Sequence, residues 1–124
     1  MSHVVKVSTS FKDLDILRKV CKEKKLVHEI AEPGKTISRK LFDTTVKGVA
    51  AVDLPGWQYP VVVAEDGTAR LDNYGGSWGK QEVLDDFTQH YARKVTVEQF
   101  ESQGYRVVDE QVLEDGSLQL QLVN

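Results

Sequence analysis

The sequence predicts an α+β domain: an antiparallel-rich sheet with two helices packed on one face, in the order β-α-β-β-β-β-α-β-β, with residues 1–124 forming a single domain. Three patterns predict it. Val83, Leu84, Phe87, Tyr91 and Val95 recur at spacings of three and four, as on one face of a long helix. Leu118, Leu120 and Leu122 alternate with Gln119 and Gln121, as in a strand covered on one side. Asp66-Gly67 stands between two strand-like runs, where glycine accepts the positive φ of a hairpin turn.

The other elements follow in order. His3 to Thr9 alternates as a strand, with Val5 and Val7 on one face. Ser10 is the expected cap of the first helix and Asp13 completes a weak capping box. Leu14, Leu17, Val20 and Cys21 form that helix's buried stripe, with Ile16 at its flank. Leu26 to Ala31 fits a short strand ended by Pro33-Gly34, and the basic stretch Lys35 to Lys40 an exposed loop. Leu41 to Leu54 reads as one strand with a bulge at Gly48, and Pro55-Gly56 as a turn. Val61 to Val63 and Ala69 to Asp72 flank the Asp-Gly turn.

The glycine-rich loop Asn73 to Gly79 then feeds the long helix from Gly79 or Lys80 to Gly104, and the chain is organised around this stretch. The β-branched run Val95-Thr96-Val97 marks an expected kink or break. Tyr105 to Leu113 and Leu118 to Val123 close the chain as a hairpin around Glu114-Asp115-Gly116-Ser117.

Composition narrows the function classes. Hydrophobic residues at 40% and charged residues at 28% are globular values. No apolar run reaches the roughly 20 residues of a membrane span. The N-terminus lacks a signal-like stretch, so the expected compartment is the cytoplasm, and a plastid stroma or bacterial cytoplasm would look the same. Cys21 is the single cysteine and reads as a buried structural thiol. Residues 1–48 hold 11 Lys and Arg against 6 Asp and Glu, and residues 49–124 hold 5 against 13, so +5 and −8 resolve the net charge of −3.

No catalytic set emerges. Gly79-Lys80 invites a phosphate-binding-loop reading, but position 74 is Tyr where the first glycine belongs and Gln81 stands at the last position. His3, His28 and His90 lack metal-ligand spacing, so no metal and no cofactor is expected. Adjacent Asp85 and Asp86 point different ways on a helix, and Glu65-Asp66 belongs to a turn. Trp57, Tyr59, Tyr74 and Trp78 cluster around turns, and if the strands bring them together they form an aromatic patch of the kind that anchors protein recognition. The expected partner-binding residues are Trp57, Tyr74, Gly75, Gly76 and Trp78. A second candidate is a basic patch of Arg18, Lys19, Lys22, Lys24 and Lys25, suited to nucleic-acid phosphates, although the helix dipole alone favours positive charge there.

Several short motifs together resemble one family: Met1-Ser2-His3, Asp13-Leu14 with Leu17, Leu54-Pro55 with Tyr59, Asp72 with Tyr74-Gly75, Phe87, Gln89 and Tyr91-Ala92, Gly104-Tyr105 with Val107, and Glu114 to Leu118. They are similar to the small proteins of algal plastids, cyanobacteria and their phages named for conserved plastid reading frame thirty-five. Residues 30–50 depart from that pattern, and His90 stands where arginine is usual. The resemblance implies a photosynthetic microbe or its phage, with the host cytoplasm as the compartment if the protein is phage-encoded, and no activity. The reading is a non-enzymatic protein-interaction module, with weak nucleic-acid binding or an unrecognised small enzyme as the alternatives.

Overall fold

The computed structural model describes residues 2–7, 10–114 and 118–124, the first of these stretches by its backbone course. The fold is α+β with antiparallel sheets, and the block order of strands and helices is the expected one. The strands divide over three sheets, however, and the chain divides into two compact units, Ser10–Leu84 and Met1–Thr9 with Asp85–Asn124.

The central unit opens with α1 (Leu14–Glu23). Asp13, not Ser10, is the N-cap, its Oδ1 accepting the Ile16 N–H at 3.0 Å. The helix starts late because Phe11 is buried and donates its backbone N–H to Gly67 O at 2.8 Å, which holds residues 10–12 outside the helix. The buried stripe is Ile16, Leu17, Val20 and Cys21, so Ile16 lies inside and Leu14 is the half-buried flank. Lys25 ends the helix at φ +57°, with the Leu26 N–H bonded to Cys21 O at 2.9 Å.

The next strands are β2 (His28–Ile30), β3 (Ile37–Leu41), β4 (Thr44–Gly48), β5 (Ala50–Val52), β6 (Val61–Val63) and β7 (Ala69–Arg70). Four of them make a sheet in the order β2-β5-β6-β7, and β3 with β4 makes a separate hairpin. Residues 37–41, expected as loop, are therefore a strand. Ile37 and Arg39 are half-buried and Leu41 is buried, while Ser38 and Lys40 are exposed, an alternation concealed by the basic composition.

The expected single strand 41–54 is interrupted twice. Phe42-Asp43 forms a two-residue turn that pairs Leu41 with Thr44, and Val49 separates β4 from β5. The bend falls at Val49, and no bulge forms at Gly48, the last residue of β4, which pairs in register with Ile37. A Cβ at Gly48 would strike the carbonyl oxygen of Val63 and lie 2.6 Å from Val62 Cγ1.

Three of the four turns read from sequence lie in this unit, and all three form. Pro33-Gly34 and Pro55-Gly56 place glycine at φ +79° and +74°, closed by bonds from Lys35 N–H to Glu32 O and from Trp57 N–H to Leu54 O. In the β6–β7 hairpin Gly67 takes φ +88° and Asp66 Oδ1 accepts the Thr68 N–H at 2.9 Å. The buried residues of this unit include all of β5 and β6 and the α1 stripe.

The other unit contains β1 (Ser2–Val7), most of α2 (Gln81–Glu101), β8 (Arg106–Val112) and β9 (Leu118–Val123). Its sheet runs β1-β9-β8. α2 starts at Gln81 and is continuous through Val95-Thr96-Val97; Thr96, four residues after buried Ala92, is itself buried and continues the inner face. Gly104 caps it at φ +88°, with the Tyr105 N–H on Phe100 O at 2.9 Å and the two rings edge to face at 5.8 Å. Leu118, Leu120 and Leu122 are buried as expected, against Val97, Phe100, Tyr105 and Val107. The faces taken by Val5 and Val7, and the turn at 115–117, lie outside the described residues. Among the described residues no helix is long and apolar enough to cross a membrane.

Candidate functional site

The concentration of chemistry in the central unit is an aromatic cluster. The loop 73–79 is folded by its own backbone: Tyr74 N–H donates to Asp72 Oδ1 at 3.1 Å, and the N–H groups of Gly76 and Trp78 donate to Asn73 O at 3.0 and 2.9 Å. Tyr74, Gly75 and Gly76 take φ of +47°, +61° and +101° in succession. Two consecutive glycines meet that demand without strain, whereas a tyrosine in the left-handed region costs about 1–2 kcal/mol. The backbone strain at Tyr74 accompanies a specific placement of its ring, stacked on Trp78 at 4.7 Å and 22°.

Trp78 is the hub. Tyr59 meets it edge-on at 5.5 Å, and Phe42 meets it tilted at 5.1 Å. Phe42 repeats the oddity of Tyr74, since it turns the β3–β4 hairpin at φ +45°, a value usually supplied by glycine or asparagine. Both outer rings stand in solvent, Tyr74 at 67% and Phe42 at 53% exposure. Two bulky side chains are thus held in strained turns with their rings on one half-buried indole. Such strain persists only where the surroundings over-determine it, and it concentrates at functional sites.

Trp57 has a different place from the one its neighbourhood in sequence suggests. Its indole lies flat on Gly79, where a Cβ would fall 2.6 Å from both Cγ and Cε2 of the ring, and its Nε1–H donates to Lys80 O at 3.1 Å. Gln58 N–H donates to Trp78 O at 2.8 Å, so the turn after β5 and the glycine loop are tied together by backbone and ring at once. Of the expected residues, Tyr74 and Trp78 are in the ring cluster, Gly75 and Gly76 shape its loop, and Trp57 braces the loop's end. Phe42 is the member the sequence reading missed. The available signal was a large apolar residue beside Asp43 at a strand break.

The basic patch is less concentrated than its sequence run. Arg18 lies 3.7 Å from Asp15, Lys24 is half-buried, and Lys25 stands past the helix in its left-handed turn. Lys19 and Lys24 also have partners of their own.

An open groove of about 400 Å³ between Thr36, Lys47, Gly48, Glu65, Asp66 and Arg70 contains a carboxylate held below its usual range. The cause is the turn itself: Asp66 accepts from the Thr68 backbone and side chain, with Arg70 nearby. A structural bond accounts for the shift, so Asp66 receives no catalytic role. Burial pushes the Cys21 thiol up to about 11, as expected of a structural cysteine. His28 is engaged through Nδ1 with Leu26 O at 2.8 Å, and no group of three potential ligands able to hold a metal occurs among the described residues.

No curated protein and no solved structure matches the chain. A model of the family described as "Protein of unknown function (DUF1257)" matches residues 56–121, which is 66 of the 124 residues. The matched span takes in Trp57, Tyr59, Tyr74, Trp78 and Gly79, while α1 and its lysines lie outside it. The chain belongs to the DUF1257 family.

Proposed function

We propose that the protein is a non-enzymatic interaction module that docks a protein partner through the aromatic surface built on Trp78. The observation behind this reading is the pair of exposed rings, Phe42 and Tyr74, each held at positive φ against one tryptophan. Large aromatic side chains with few rotatable bonds are effective anchors, because they bury much area at little conformational cost. Trp57, Gly75 and Gly76 preorganise the loop, and Tyr59 backs the hub. The resemblance to the plastid reading-frame family supports a setting in a photosynthetic microbe or its phage, with the partner in the same cytoplasm or stroma.

Tagged protein passed through a cyanobacterial-type lysate, with and without nuclease, tests the reading. It expects a stoichiometric protein that survives nuclease and is lost with Trp78→Ala. Retention that vanishes on nuclease treatment would assign binding to the lysines of α1 instead.

A further inference from the structure

We propose that the open edge of β8, with the groove it forms against α2, is a second docking site, one that takes an extended basic segment of a partner protein as an added strand. β8 is the outer strand of the order β1-β9-β8, so among the described residues one row of its N–H and C=O groups has no strand partner. Val108 to Val112 are all exposed, Val108 at 49% and Val112 at 53%. An uncovered edge carrying apolar side chains is a template for strand addition. A bulge between Val107 and Asp109 interrupts the register of β8, and the longer regular stretch beside it is Asp109–Val112.

The groove beside this edge supplies the selectivity. It is open, holds about 370 Å³, and has Val97, Val107 and Val108 as its apolar lining. Arg93 donates through Nε to Glu110 Oε2 at 2.6 Å, so those two charges cancel at the rim. Glu101 and Asp109 also line the groove, and among the described residues neither has an ion-pair partner. Apolar lining with two uncompensated carboxylates suits a lysine or arginine, whose stem covers the valines while its head reaches the acids. Side chains of an added strand alternate between groove and solvent, so the segment recognised has a basic residue at every second position.

An edge strand beside a helix is, by analogy, the arrangement with which known strand-addition modules read extended peptides. The unit as a whole favours a cationic partner, with four Lys and Arg against eight Asp and Glu. A second copy of β8 would set acidic strand against acidic strand, which like-charge pairing disfavours.

The test uses the full chain and fluorescent synthetic peptides of equal length: alternating lysine and threonine, the same charges with proline replacing threonine, and alternating glutamate and threonine. Anisotropy gives affinity, and amide resonances locate the site. The lysine–threonine peptide should bind and shift the Asp109–Val112 amides, and Glu101→Gln or Asp109→Asn should weaken it by about fivefold each, the factor of a good exposed ion pair. Phe42→Gly and Tyr74→Gly should leave this binding unchanged, which separates it from docking at the aromatic cluster. Equal binding of the proline peptide, or none by the lysine–threonine peptide, would overturn the proposal. So would a concentration-dependent dimer of the free chain that Gln111→Pro abolishes, since a second copy would then hold the edge.

Discussion

Gly79→Ala isolates the brace beneath the aromatic loop. A methyl group at this position would lie 2.6 Å from Trp57 Cγ and Cε2, well inside contact distance. Cγ is the root of the ring, so no terminal torsion moves it aside, and the indole must tilt as a whole. Tilting costs the Nε1–H bond to Lys80 O, about 1 kcal/mol. Overpacking adds about 1–3 kcal/mol, and the half-exposed ring has solvent on one side to yield into, which places it low in that range.

The expected loss is therefore about 2 kcal/mol by urea unfolding, with a red shift of the Trp57 emission. In a Trp57→Ala background the obstacle is gone and Gly79 has no positive φ, so the same Gly→Ala change becomes neutral or stabilises by about 0.5 kcal/mol through the unfolded chain. An equal cost in both backgrounds, or no cost in either, would refute the packing argument.

Three further outcomes are expected. Asp13→Ala loses about 1 kcal/mol of stability to urea, whereas Ser10→Ala changes little, because only Asp13 accepts from the helix start. Lys25→Gly gains about 1 kcal/mol in the same measurement, since the αL conformation at +57° is free for glycine. The folded-state pKa of Asp66 lies below the ordinary 3.8, so its contribution is present above 3.8 and disappears as pH falls through the lower folded value. Acid titration of stability should show that loss in the wild type and not in Asp66→Asn.

Features encoded within a few residues were legible in the sequence. Gly104, the two Pro-Gly turns, Asp66-Gly67 and the leucine–glutamine alternation of β9 each state their own geometry. The helix start was misplaced because the competing interaction, Phe11 N–H to Gly67 O, joins residues 56 positions apart. β3 was hidden because long basic side chains can be half-buried by their stems, as Arg39 is beside Glu29. Val95-Thr96-Val97 lowers helix propensity, yet burial of Thr96 overrides so weak a preference. Four of the five aromatic residues at the site were visible as a group near turns. Phe42 and the distinct role of Trp57 depend on contacts across more than twenty residues, which no local pattern reveals.

Phe42 and Tyr74, at φ +45° and +47°, are unusual positions, because glycine suits their backbone better than the residues present. Replacement relieves the αL cost of about 1–2 kcal/mol at each site, while forfeiting ring contacts of about 0.5–1.5 kcal/mol. The double variant Phe42→Gly, Tyr74→Gly is the most direct measurement, made by urea unfolding and by titration with the partner retained after nuclease. Stability within about 1 kcal/mol of wild type, together with loss of partner binding, is the expected result. Undiminished binding by a folded double variant would contradict it.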